Sequence, residues 1–161
     1  MRRTWKEITV RDPHHYGAHC AALQYWCAKW RDSEEAAVSF AREAAAGAPL
    51  GGLLTALPLI AWYERRDDDA EAAVFREPYL VALIGAALAD VAAAPPDRPD
   101  TAAVRHLLAC FLPRQGRYDA ALEQFRLVDG YVDALPWRHG DDPAAVYCLR
   151  RDRAVRGASR C

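Results

Sequence analysis

The chain has 161 residues and a formal net charge of −1, with 21 Lys plus Arg against 22 Asp plus Glu, and 52% of its residues are hydrophobic. That composition supports one packed domain, excludes wholesale disorder, and excludes a whole-protein basic field of the kind that gathers nucleic acid. Alanine occurs 33 times, while Val, Ile and Thr together reach only 17. Helix is therefore favoured and a sheet is starved of β-branched residues, so the fold class expected is all-α.

Residues 1–12 form an N-terminal segment without the apolar run of a signal peptide. Asp12-Pro13 supplies an N-cap followed by proline at the first helical position, which predicts a helix to about Trp30. Asp32-Ser33 caps a second, with Glu34 and Glu35 in its first turn where the helix dipole favours carboxylates, and it closes near Gly47. A third runs from Leu50 to about Tyr63, and Glu64–Asp69 reads as a solvated charged turn. A fourth, Ala70 to Ala94, is expected to bend at Pro78. Pro95–Pro99 is a breaker, after which a fifth runs from Asp100 or Thr101 to about Arg114. Gly116 turns the chain into a sixth, Tyr118 to about Ala134. Pro136–Gly140 reads as a loop, and Asp142-Pro143 opens a closing helix to about Arg156. The organisation expected is one domain over 1–161, with hairpins at 13–47, 50–94 and 100–134 and a closing helix at 142–156.

Apolar spacing supports these elements. Tyr16, Cys20, Leu23, Cys27 and Trp30 form one stripe, and Tyr118, Ala121, Leu122, Phe125, Val128 and Val132 another. Tyr79–Ala89 is apolar around its whole circumference, which predicts a central helix enclosed by its neighbours. Asp90, alone in that helix, is expected to pair with an arginine or meet solvent. Pro78–Ala89 and Ala48–Tyr63 both fall short of the roughly 20 apolar residues that span a bilayer, so no membrane association is expected. Five cysteines without a C-x-x-C pair suggest reduced thiols and a cytoplasmic location.

Sliding the chain against itself superposes Ala36-Ala37-x-x-Phe40 on Ala121-Leu122-x-x-Phe125. The small residue lets a paired helix approach, and the phenylalanine one turn later fills the space beyond. Gly116-Arg117-Tyr118-Asp119-Ala120-Ala121-Leu122-Glu123-Gln124-Phe125, with Ala109 on the preceding helix, resembles the second-helix start of a tetratricopeptide repeat. Asp12-Pro13, Lys29-Trp30-x-x-Ser33-x-Glu35 and Gly130…Pro136-Trp137-x-x-Gly140-Asp141-Asp142-Pro143 are similar to an uncharacterised helical family of high-GC Gram-positive bacteria, which has no agreed activity. The first resemblance implies a right-handed array of about seven helices, in three antiparallel hairpins plus a closing helix, that binds a protein or peptide in a groove lined by first helices. It implies an inner face of Ala21, Tyr25 and Ala28 in the first hairpin, and Ala103, His106, Cys110 and Pro113 in the last.

Candidate site residues follow from these readings. Tyr25, Trp26 and Lys29 lie off the core stripe, where exposed aromatics favour partner contact. With Ala21, His106 and Cys110 they make the expected partner-binding groove. The alternative is a small-molecule or enzyme site, with or without a metal: His15 and His19 stand one turn apart, and His106 with Cys110 repeats that spacing. No glycine-rich phosphate loop, G-x-S-x-G elbow or dinucleotide fingerprint occurs, so no catalytic residue and no cofactor is expected. The arginines of the C-terminal tail read as a solvated helix end, without nucleic-acid binding. The apolar Trp5, Ile8 and Val10 are expected to fold back onto the first hairpin or to form a homodimer.

Overall fold

A computed structural model describes residues 2–29, 34–65, 73–128, 132–138 and 140–160. It is helical, with no strand among the described residues. The α-helices are α1 (Arg2–Arg11), α2 (Tyr16–Lys29), α3 (Glu34–Ala46), α4 (Leu57–Arg65), α5 (Pro78–Ala93), α6 (Thr101–Phe111), α7 (Tyr118–Leu127), α8 (Leu135–Arg138) and α9 (Pro143–Ala158). Short 3-10 turns at Leu54–Ala56, Val74–Arg76 and Leu112–Gln115 link them. No helix among the described residues is long and apolar enough to cross a membrane.

Local chemistry accounts for several of these boundaries. Asp142 caps α9 by accepting the Ala145 N–H at 3.0 Å, with Pro143 at the first helical position. Gly116, at φ 75°, closes the end of the α6 hairpin arm, its N–H donating to the Pro113 carbonyl. Elsewhere the boundaries differ from the sequence reading. Asp12 does not open α2; its N–H donates to the Ile8 carbonyl and ends α1, and the imidazole of His15 caps α2 by accepting the Ala18 N–H at 3.0 Å. Residues 2–11, read as a bare segment, are helical. Pro78 starts α5 instead of bending a longer helix, since its missing N–H costs nothing at a helix N-terminus. The third helix starts later than read, at Leu57, because Gly51 and Leu53 both take positive φ and hold the chain in a turn. α7 ends at Leu127, and the stretch read as a loop contains α8. The caps read at Asp32-Ser33, the core position of Trp30, and the charged turn from residue 66 onward lie outside the described residues.

Three aromatic clusters join the helices. Trp5 of α1 packs on His19 of α2 and Phe40 of α3, with ring centroids 5.0 and 5.6 Å away, so the N-terminal helix touches the first hairpin through this ring. Trp62, Phe75 and Phe111 meet edge to face and tie α4 to α6. Phe125, Trp137, Tyr147 and His106 tie α7, α8, α9 and α6 together. α6 packs along α7, and α7 along α9; Ala121 and Phe125, the residues of the repeat seam, are both buried. The middle of the chain is not a simple hairpin: α4 lies mainly on α2 and α3, whereas α5 lies on α6 and on the turn at Leu54–Ala56.

α5 is not enclosed. Leu80, Ile84, Ala87 and Val91 are buried, but Tyr79 and Val81 are 42% and 43% exposed, and Ala82, Gly85, Ala86 and Ala89 face solvent. Alanine and glycine carry so little apolar area that leaving them in water costs little, so an all-apolar pattern built from them does not require cover. Asp90 neither meets solvent nor pairs with arginine. It is fully buried, where its carboxylate accepts the N–H of Gly51 and, at 2.6 Å, the hydroxyl of Thr55. Its partners are the very groups that the tight turn before α4 would otherwise leave unsatisfied.

Candidate groove between α2 and α6

α2 and α6 are the first members of the α2–α3 and α6–α7 pairs, and a solvent-open cavity of about 410 Å³ lies between them. Its buried floor is Tyr16, Ile60, His106 and Ala134. Gly17, Ala102 and Ala103 form small, exposed walls, and Gln24, Asp100, Asp133 and Arg138 supply the polar rim. Gly17 on α2 and Ala102 and Ala103 on α6 are too small to fill the space between the two helices. Two carboxylates and one guanidinium leave the rim mixed in charge.

Burial shifts the pKa of three groups that line the cavity. Burial lowers the pKa of His106 to about 4, so its ring is neutral at physiological pH. The indole N–H of Trp137 donates to its Nδ1 at 2.9 Å, which leaves the ring proton on Nε2. Burial pushes the Cys20 thiol up to about 11, against the opposing effect of its hydrogen bond with the Tyr16 hydroxyl and reinforced by the negative Asp100. Tyr16 is likewise raised, first by burial and then by Cys20 and Asp100. Asp100 occupies the N-cap position of α6 without making a side-chain capping bond. A thiol held this far up is not a thiolate at neutral pH, so Cys20 is a packing and hydrogen-bonding group.

Of the expected groove residues, His106 lines the cavity, and so does Ala103 of the implied inner face. Ala21 is exposed on α2 and Tyr25 is half-buried, and neither lines this cavity; α2 is rotated so that Tyr16, Gly17, Cys20 and Gln24 face it instead. Cys110 is 4% exposed and belongs to the core. Trp26, Lys29 and Ala28 lie on the last turns of α2, whose side chains are outside the described residues.

The four proposed metal ligands do not converge. His19 is wedged between Trp5 and Phe40 with its Nδ1 against the His15 carbonyl, and His15 is spent as the α2 cap. His106 sits in the separate Trp137–Tyr147 cluster. No group of three or more His, Cys, Asp or Glu side chains suited to a metal ion occurs among the described residues.

Sequence reasoning missed Tyr16, Gly17 and Asp100 as lining residues. Tyr16 and Cys20 were placed on the core stripe, which borders the cavity without distinguishing the last filled position from the first open one. The one available signal was the coincidence of Gly17 with Ala102 and Ala103 on two first helices. Comparison with known protein families, with curated proteins and with solved structures finds no match to this chain.

Proposed function

We propose that this chain is an interaction module, a right-handed tetratricopeptide-like array that takes a peptide segment of a partner protein in the α2–α6 groove. The observation that carries this reading is a cavity of about 410 Å³ between the first helices of two hairpins, floored by buried apolar and aromatic groups and rimmed by both signs of charge. That volume falls within the roughly 300–1,000 Å³ typical of ligand sites. Gln24, Asp100, Asp133 and Arg138 would satisfy the polar backbone and side chains of an extended segment, while small walls admit its side chains. The Gly116–Phe125 seam, with Ala121 and Phe125 buried between α6 and adjoining helices, supports the repeat assignment. Cys20 and Cys148 carry no disulfide, which suits a reducing compartment such as the cytoplasm.

Ala103→Trp tests the proposal. Position 103 is exposed, so the indole fills the groove without entering the core. Proteins captured from a native lysate by the intact chain should be lost with Ala103→Trp, at unchanged thermal stability. Equal capture by both would remove the groove from the account. A small polar molecule could occupy the same volume. Native mass spectrometry would reveal it as a fixed mass increment, absent from the tryptophan variant.

A further inference from the structure

The positive charge of the C-terminal helix has no part in the α2–α6 groove. Arg150, Arg151, Arg153 and Arg156 lie on α9 against the single Asp152. Between α9 and α7 runs a second open cavity, also of about 410 Å³. Leu122, Phe125, Tyr147 and Val155 line it, and each helix contributes one arginine, Arg126 from α7 and Arg151 from α9. Val155 is 46% exposed and Leu122 half-buried, so aliphatic surface lies open beside two guanidinium groups. Among the described residues, each arginine has only a long, solvent-exposed contact with its own helix: Arg126 to Glu123 at 3.9 Å and Arg151 to Asp152 at 3.6 Å. Exposed pairs of this kind contribute little and exchange readily for a better-placed carboxylate.

We propose that the α7–α9 groove docks an acidic segment of a partner protein, with one aliphatic or aromatic side chain seated on Leu122 and Val155 and carboxylates held by Arg126 and Arg151. Charge complementarity selects this occupant. The planar guanidinium fork matches a carboxylate in two parallel hydrogen bonds, and the pair spans the groove from both walls. The apolar lining requires an apolar anchor between those charges. Nucleic acid fits less well: Phe125 and Tyr147 are 2% and 4% exposed and pack on one another with centroids 5.3 Å apart, so neither offers a face to a base. A lipid surface fits less well too, because it binds an outward-facing apolar stripe, whereas this lining lies between two helices.

The test uses the full chain and four probes: a pool of labelled ten-residue peptides with one Leu, Phe or Trp flanked by Asp and Glu, the same pool with Lys for each acid, anionic phosphatidylglycerol vesicles, and a single-stranded oligothymidine. The acidic pool should bind saturably, at least tenfold tighter than the lysine pool, and weaken several-fold as salt rises. Arg126→Glu with Arg151→Glu should reduce that binding at least tenfold, and Val155→Asp should reduce it without changing the charge of either arginine. All three positions are exposed, so thermal unfolding should stay unchanged. Ala103→Trp, in the other groove, should leave the binding intact, which separates this proposal from the function proposed above. Absence of binding by the acidic pool at millimolar concentration, indifference to charge reversal, or tighter binding of vesicles or oligonucleotide would overturn it.

Discussion

The indole N–H of Trp137 donates to Nδ1 of His106 across 31 residues of sequence, at 2.9 Å, and both side chains are fully buried. The bond requires an unprotonated Nδ1, and burial holds the ring neutral down to about pH 4, below the ordinary histidine value of 6.5. In the unfolded chain the same ring gains its proton near 6.5. The folded state therefore keeps the full benefit above pH 6.5 and loses it progressively as pH falls from 6.5 towards 4. That loss amounts to about 3 kcal/mol. Denaturant unfolding of the native chain and of His106→Asn, whose side-chain carbonyl can still accept the indole N–H, should differ in pH dependence over this window by about that amount. Parallel curves would show that the ring is not held neutral by burial.

Asp90 is a second buried polar group with a structural task. Its carboxylate receives donors from Gly51 and Thr55 and so fixes the turn that sets the start of α4. Asp90→Ala leaves both donors buried without an acceptor, and should cost about 2–4 kcal/mol in urea unfolding. Gly51→Ala should also destabilise, because φ there is +84° and an added Cβ would stand 2.9 Å from the Ala93 carbonyl oxygen. If Asp90→Ala unfolds at the native midpoint, the turn is held by something other than the carboxylate.

Gly157 of α9 lies flat against the ring of Tyr118 at the start of α7, and a Cβ added there would enter the ring's van der Waals envelope. Gly157→Ala should therefore destabilise by about 1–3 kcal/mol despite the helix propensity of alanine. In a Tyr118→Ala background the same change should become neutral or stabilising. A double-mutant cycle measures the difference, and additive effects would place the two residues out of contact.

Local signals in the sequence were reliable where one residue determines its own backbone. Asp142-Pro143, the proline run at 95–99 and Gly116 each mark a boundary that the structure keeps. Asp12-Pro13 carried the same signal and misled: Asp12 does accept the His14 N–H, but only within a turn, and α2 starts later, at Tyr16, with His15 accepting the Ala18 N–H. Periodicity located the buried side of α7 but overstated the burial of α5, because hydropathy counts an alanine as apolar without regard to how little area it hides. The groove was legible only through His106 and Ala103. The rest of its lining depends on the rotation of α2 against α6, and the partner of His106 is a tryptophan in a stretch with no periodic pattern. Neither is encoded by spacing within one helix.

Trp5 carries the last prediction. Its ring closes on His19 and Phe40, the only large side chains that could cover it from the first hairpin in the described contacts, and Val10 further along α1 is 76% exposed. The apolar N-terminal residues were expected to fold back or to join two copies of the chain, and the Trp5 contact supplies an intramolecular cover. Trp5→Ala should then destabilise the chain by about 1–3 kcal/mol through lost aromatic contact at a half-buried position. Deleting residues 1–10 should cost at least as much, because it removes Trp5 together with the rest of α1. Sedimentation of the intact chain at several concentrations should give a monomer. A dimer that dissociates in step with the deletion would instead assign Trp5 to an interface between copies, and a monomer that tolerates the deletion at unchanged stability would show that α1 contributes nothing to the fold.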